Sequence, residues 1–420
     1  WVIDSEKNSR IADFGLAPLG EQAISWARAH SPLVDGYLRD RLSDGSLKGR
    51  RVAVVVHLEA KTALLATVLA EAGAEVVVAG SNPHSTRDEI AAALVARGIE
   101  VHSSRNSGYS VWESDLDVVA SRKPELIIDD GAELTLRIIN AGTDHGILGA
   151  TEQTTTGVAR LRQLEALGRL DFPVLAANDA KCKHLFDNRY GTGQSTVQAI
   201  LNLTNMLMAG KNVAIFGYGW VGRGIATHVR ALGGTAWIVE IDPVKALEAV
   251  MDGHQVAAAA DALPTADFVL TATGGIKAVG AKHFAIMKEG AILANAGHHD
   301  LEIDVDWLKN ESASISEVRE GIDRYEIKGL GHLYVLANGA LVNIAGGLGH
   351  PIEIMDLSFA VQGVGCHELA KGGLAPGVTV ISSSLDNEIA AASLAAQGVV
   401  LDEVSAEQTE NIEAMFGKID

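Results

Sequence analysis

Cysteine is almost absent from this chain. Cys182 and Cys366 are the only two in 420 residues. That is too few for a disulfide framework or a cysteine-based zinc site, and it predicts a reduced, cytoplasmic protein. Proline is scarce at 9 residues, and no Pro/Ser-rich linker or low-complexity tract interrupts the chain. No apolar run approaches the roughly 18–20 residues of a membrane span. Basic residues are outnumbered: 34 Lys and Arg against 53 Asp and Glu leave a formal net charge of −19. This balance argues against nucleic acid or an anionic membrane as partner. No H-x-x-x-H, H-E-x-x-H or acidic-loop spacing predicts a metal site, and no G-x-S-x-G elbow predicts a serine hydrolase. An Arg-rich or apolar leader is also missing, although the chain begins at Trp1 rather than Met, as after removal of one.

What is present is a globular composition, 47% hydrophobic and 21% charged with 44 glycines, long enough for two or three domains. Short apolar strands alternate with helix-length amphipathic segments, the signature of βαβ units and parallel sheets. RVAVVV, AEVVVAG, IEVHS, ELIIDD and FPVLAA form a first set; KNVAIF, TAWIVEID, DFVLTAT and GAILANAG form a second. The predicted fold is α/β, with two doubly wound parallel-sheet domains joined by a hinge and a largely helical C-terminal segment. Residues 1–185 form the first domain, 190–348 a Rossmann domain, and 352–420 return to the first. Ligands in such sheets collect outside the carboxyl ends of the strands. Polar residues there carry extra weight: His57, Ser81, Asn82, Asp129 and Asp130 in the first set, and Gly217, Glu240, 271–275 and 295–299 in the second.

VAIFGYGWVGRGIATHVRALGG reads as strand, glycine turn and helix, with G-x-G-x-x-G at Gly217, Gly219 and Gly222. The first glycine makes the turn, the second admits a pyrophosphate, and the third allows close helix–strand packing. Glu240 ends the next strand, where a carboxylate accepts hydrogen bonds from both ribose hydroxyls and repels a 2′-phosphate. The cofactor predicted is NAD. Arg223, on the first turn of the helix, reads as a solvated surface residue.

The segment NDAKCKHLFDNRYGTG is dense in functional groups. On one helical turn Lys183 and Asp187 would be neighbours, either as an exposed pair or, beside a nicotinamide, as a base for a hydroxyl proton. NAGHHD places His298 and His299 at a strand end, structural or catalytic with equal weight. TEQTTTG offers three threonines that suit a β-edge or contacts to a cofactor. HLEAKT, after the strand VAVVV, sets Glu59 and Lys61 two apart; residues so spaced do not normally face each other on a helix, so both read as pocket residues, against a plain reading as a helix start.

Taken together, SNPHSTRD, IIDDGAELT, TEQTTTGV, NDAKCKHLFDNRYG, GYGWVGRG, VEIDP, NAGHHDLEIDVDWL and LVNIAGGLGHP resemble the S-adenosylhomocysteine hydrolase family, over about Ile11 to Ile412. The resemblance implies a homo-oligomer, usually a tetramer, with tightly bound NAD and a small nucleoside substrate of one-carbon metabolism. It implies oxidation of a ribose 3′-hydroxyl, loss of the C4′ proton with expulsion of a 5′-thiolate, addition of water, and return of the hydride. Lys183 would serve the 3′-hydroxyl with Asp187; Asp130, His57 and His298 would handle the C4′ proton and the leaving group or water. Thr154, Thr155, Thr156, Asn188, Asn295 and Asn343 would join Gly217, Gly219, Gly222 and Glu240 around NAD. Glu59, Lys61, Ser85, Gln153 and His350 would contact the substrate.

Four departures from the family pattern stand out. Glu59 replaces a hydroxyl residue and Lys61 a carboxylate at positions that face the base; Lys61 offers only donors and suits a carbonyl. Gln153 replaces a ribose-binding glutamate. Trp220 replaces an aspartate in the glycine turn, a packing difference. The chain stops at GKID, without the lysine–tyrosine tail that in the family reaches a neighbouring subunit. The expectation is a family hydrolase with an altered base or substrate. The alternatives are an NAD-dependent 3′-oxidoreductase or epimerase of a nucleoside-type natural product, and a silent regulatory subunit, against which the retained Lys183, Asp187, Asp130, His57 and His298 count.

Overall fold

The computed structural model describes residues 2–4, 8–142, 146–297 and 300–405, with 407, 408, 411, 414 and 415. The chain divides into two compact units, 1–184 with 355–420, and 185–354. Each is a sheet covered by helices on both faces.

Unit 1 begins with β1 (Val2–Asp4), β2 (Ser9–Ile11), β3 (Arg51–Val55), β4 (Glu75–Ala79), β5 (Glu100–His102), β6 (Leu126–Asp129), β7 (Gly149–Glu152) and β8 (Pro173–Ala176). Unit 2 contributes β9 (Asn212–Phe216), β10 (Thr235–Val239), β11 (Gln255–Val256), β12 (Phe268–Thr271), β13 (Ile292–Asn295), β14 (Ser312–Arg319), β15 (Ile322–Ile327) and β16 (Gly331–Leu336). The chain then returns to unit 1, where β17 (Gly377–Thr379) pairs parallel with β8. Among the described residues, the segment after 352 carries the helices Ile352–Lys371 and Ser383–Ala396 on either side of this strand. It also completes the first sheet, whose order is β1-β2-β5-β4-β3-β6-β7-β8-β17.

The run VAVVV forms β3 because its residues serve two cores at once. Val52, Val54 and Val56 join one apolar cluster, while Ala53 and Val55 join the other. In β9, Val213 and Ile215 face one cluster and Ala214 and Phe216 the other. A strand buried on both faces needs apolar residues at every position.

The second sheet runs β11-β10-β9-β12-β13-β16-β15-β14. Its last three strands form antiparallel hairpins, β14 with β15 and β15 with β16, on a parallel Rossmann half. In each sheet the winding reverses beside a central strand: between β3 and β6 in unit 1, and between β9 and β12 in unit 2. A crevice opens at such a switch point. His57 and Asp130 follow β3 and β6; Gly217 and Thr273 follow β9 and β12.

Candidate active site

At the first switch point, His57 and Asp130 come together. His57 Nδ1 lies 2.7 Å from Ser85 Oγ, and its Nε2 lies 3.7 Å from Asp130 Oδ2. The Ser85 hydroxyl donates to the Asn82 carbonyl at 3.1 Å. Its oxygen is then left to accept from Nδ1–H, so the basic nitrogen of His57 is the one facing Asp130.

Asp130 sits on a turn built by buried carboxylates. Glu152, with no exposed surface, accepts from Gly131 N at 2.9 Å, Ala132 N at 2.8 Å, and Thr154 N and Oγ1, both at 2.8 Å. Asp129 accepts from Asp130 N, Thr135 N and Thr135 Oγ1 at 3.0, 2.8 and 2.6 Å. The turn holds Ala132 at φ 58, a left-handed conformation that costs a non-glycine residue about 1 kcal/mol or more. The Glu152 bonds offset that strain. Burial, and then the neighbouring Asp129 and Asp130, push Glu152 up to about 8; burial raises Asp129 as well. For Glu152, the loss of water and two like charges outweigh its four donors.

Lys183 is 3% exposed, and its Nζ donates to Asn178 Oδ1 at 3.1 Å. Thr155 Oγ1 donates to the same oxygen at 3.3 Å. Asn178 was not among the residues singled out from the sequence, although it stands within the NDAKCKH motif. Lys183 and Asp187 do not share a helical turn: the helix Lys181–His184 ends before Asp187, which opens a separate π-turn, Asp187–Gly191. The threonines do not form a β-edge. Thr154 caps the helix Thr155–Ala166, accepting from Gly157 N at 3.1 Å, and Thr155 and Thr156 form its first turn. Gln153 is buried between Glu152 and this cap.

Glu59 and Lys61 are a pair after all. Glu59 caps the helix Ala60–Glu71 in an extended conformation, φ −141, and accepts from Lys61 N at 3.1 Å. Standing outside the helix, it escapes the i,i+2 geometry that separates helical side chains. Lys61 Nζ lies 2.9 Å from Glu59 Oε2, and Lys61 is only 6% exposed. Burying the lysine costs solvation that a surface pair would keep.

In unit 2 the glycine turn has the geometry of a dinucleotide site. Gly217 has φ 97, and a Cβ there would stand 2.7 Å from Ala272 O; a Cβ at Gly222 would stand 2.0 Å from Gly217 O. At Gly219 a Cβ would meet nothing within 4 Å, leaving open space of the kind a pyrophosphate needs. Glu240 accepts from Tyr218 N and Ile241 N, both at 2.7 Å, and from Asp242 N at 3.0 Å. These amides hold its carboxyl below the usual range, against the opposing effect of partial burial. An aimed, ionised carboxylate is what two ribose hydroxyls require.

Asn343 is fully buried; its Nδ2 donates to Ser195 Oγ at 3.0 Å, and its Oδ1 has no partner among the described residues. A buried amide oxygen of this kind is costly unless a ligand donates to it. These features fit NAD.

Other residues behave differently from the sequence reading. Asn295 uses its amide inside the fold: Oδ1 accepts from Thr271 Oγ1 and Gly297 N, and Nδ2 donates to the Gly297 and Gly339 carbonyls. Arg223 is not a solvated residue; it pairs with Glu248 and lies over the rings of Tyr218 and Trp220. Trp220 itself is the first residue of the helix Trp220–Ala231 rather than part of the turn. The His350 ring lies 2.8 Å from Thr192 Oγ1 and 3.3 Å from Asp187 Oδ1, and Asn188, in the same π-turn, is half-buried. Glu302, fully buried and within the NAGHHDLEIDVDWL motif though not singled out there, pins the turn after β12 by accepting from Thr273 N, Thr273 Oγ1 and Gly274 N. His298 and His299 lie outside the described residues. Among the described residues no group of His, Cys, Asp and Glu could hold a metal, and no helix is long and apolar enough to cross a membrane.

Comparison with known proteins agrees with this geometry. The NAD-binding domain model of S-adenosyl-L-homocysteine hydrolase matches residues 188–349, and the S-adenosyl-L-homocysteine hydrolase model matches residues 8–146. The chain belongs to the S-adenosylhomocysteine hydrolase family. It is 44% identical to the S-inosyl-L-homocysteine hydrolase of Methanopyrus kandleri, over 97% of this chain and 98% of the relative. It is equally similar, at 44%, to the adenosylhomocysteinase of Thermococcus kodakarensis, over 98% and 99%. The adenosylhomocysteinase of Saccharolobus solfataricus is 42% identical over 96% and 98%. The protein is therefore an enzyme of this hydrolase family, and its cofactor is NAD.

Proposed function

We propose that this enzyme cleaves a 6-oxopurine nucleosidyl-homocysteine, S-inosyl-L-homocysteine, in preference to the adenosyl compound. The observation that carries the reading is the buried Glu59–Lys61 pair at the positions that face the base in the family. Hypoxanthine presents an N1–H donor beside an O6 acceptor; adenine presents the reverse, an N1 acceptor beside a 6-amino donor. With Lys61 toward position 6 and Glu59 toward N1, the pair complements the first edge and opposes the second. One 44%-identical relative carries the name of an S-inosyl-L-homocysteine hydrolase, which supports the same choice.

Bound NAD would take the hydride from C3′ and return it at the end of turnover. Lys183, held on Asn178, takes the 3′-hydroxyl proton. The resulting ketone acidifies C4′–H, and the His57–Asp130 pair provides the acid and base that move the proton as the C5′–S bond breaks with its electrons on sulfur. Water then adds at C5′, the proton returns to C4′, and the net reaction is hydrolysis to nucleoside and homocysteine. Gln153 keeps a ribose contact without adding a fourth carboxylate to Asp129, Asp130 and Glu152.

The assembly is proposed to be a homo-oligomer. The helix Pro243–Met251 and the residue before its cap expose Ile241, Val244, Leu247, Val250 and Met251, between 55% and 99%, an apolar face of the kind that marks protein contacts. The reading is tested in the synthetic direction, by incubating the enzyme with homocysteine and either inosine or adenosine and separating the products. Preferential formation of the inosyl thioether supports it; preference for the adenosyl thioether rejects it.

A further inference from the structure

We infer that Asp386, on the helix Ser383–Ala396 of unit 1, is a positioning residue for Lys183. The helix that carries the lysine is a single turn, Lys181–His184. So short a helix has almost no hydrogen-bond ladder of its own: Lys183 N and His184 N both donate to Ala180 O, at 3.1 and 2.7 Å. Its leading amides need a cap, and the preceding residue, Ala180, has no side chain to provide one. The cap arrives from the far end of the sequence. Asp386 Oδ2 accepts from Lys181 N at 2.6 Å and Oδ1 from Cys182 N at 3.0 Å, more than 200 positions away. The Cys182 thiol donates back to the Asp386 carbonyl at 3.2 Å.

Asp386 is itself fixed. It is 6% exposed in the first turn of Ser383–Ala396, a helix capped by Ser382 and anchored by Ile389, which is fully buried in the cluster that contains Cys182. Further along, Glu388 accepts from Tyr37 and Arg41, both at 2.8 Å. The carboxylate thus sets the height and rotation of one turn, and the turn aims Lys183 Nζ at Asn178. A base must be placed to within a fraction of an ångström, and a misplacement of about 1 Å costs roughly 100-fold in rate. The helix Ser383–Ala396 is therefore part of the oxidation machinery without touching substrate. The inference rests on the reading of Lys183 as the base for the 3′-hydroxyl.

The test measures hydride transfer in the full-length, NAD-loaded enzyme mixed rapidly with inosine or adenosine, read as NADH absorbance across a pH series. Asp386→Ala should slow the step about 100-fold with NAD content unchanged, and Asp386→Asn, which keeps one acceptor, about tenfold. Both should move the acid limb of the rate profile, because the base has changed its surroundings. Glu388→Gln loosens the same helix without touching the Lys181–His184 turn, and should leave rate and profile as in the parent. A parent-like rate and profile in both Asp386 variants, or an equal loss in Glu388→Gln at equal loss of melting temperature, overturns the inference. Lys183→Met separates the two claims: if it still reduces NAD, the assignment of the base has failed, whatever Asp386 does.

Discussion

Exchanging the charge pattern at the start of the Ala60–Glu71 helix should exchange the preferred base. The perturbation is the double variant Glu59→Thr with Lys61→Glu. Neither change endangers the helix, since threonine is itself a good N-cap and a carboxylate in the first turn is favoured by the helix dipole. In the parent, adenine would set its amino donor against the Lys61 ammonium and its N1 acceptor against the Glu59 carboxylate. Each mismatched buried polar group costs about 1–3 kcal/mol, so two cost about 2–6 kcal/mol, or roughly 30-fold to 10⁴-fold in kcat/KM. The variant removes the ammonium and offers a carboxylate to the adenine amino group, so the ratio of kcat/KM for S-inosyl- and S-adenosylhomocysteine should invert. Thiol release from each substrate gives the ratio directly. A folded, NAD-loaded variant with the parent's ratio would refute the reasoning, and Glu59 and Lys61 would then be only a capped helix start with a buried ion pair.

Three further outcomes follow from the site. Glu152 binds its proton more tightly folded than unfolded, between the ordinary 4.5 and about 8. The folded state therefore holds the extra proton in that window, and stability should fall as pH rises through it, by at most about 1.4 kcal/mol per pH unit. Glu152→Gln should flatten this slope in denaturant titrations, and an unchanged slope would count against the raised carboxyl. Gly222→Ala would drive a Cβ to 2.0 Å from Gly217 O, so the purified protein should lose its bound NAD; full NAD content in that variant would contradict the turn's role. Glu240→Ala should weaken NAD by about 10- to 100-fold, the worth of charge-assisted bonds at about 1.5–3 kcal/mol, and narrow its advantage over NADP, both measured by cofactor titration.

The parallel sheets were legible in the sequence because their strands are buried on both faces and must be apolar throughout, as in VAVVV and VAIF. The hairpins β14–β16 were not anticipated: β14 is exposed almost everywhere, so its residues carry no core pattern. β17 is three residues long and owes its place to β8, a partner about 200 residues away. Helix spacing separates Glu59 from Lys61, whereas their pairing depends on a cap conformation that spacing does not encode. Arg223 looked like a surface residue until the rings of Tyr218 and Trp220 came beneath it. Glu152 and Glu302 stand inside TEQTTTGV and NAGHHDLEIDVDWL with no spacing that marks their role, and Asp386 stands in no motif. Each acts by accepting backbone amides from another segment, and such an acceptor is visible only once the chain has folded.

The most direct test of the central claim is to follow thiol release and bound-NADH absorbance in one cuvette. Purified enzyme is given S-inosylhomocysteine and, separately, S-adenosylhomocysteine. The account predicts transient reduction of bound NAD together with thiol release, faster from the inosyl substrate. Reduction of NAD without thiol from either substrate would contradict it, leaving 3′-oxidation intact but used for another reaction.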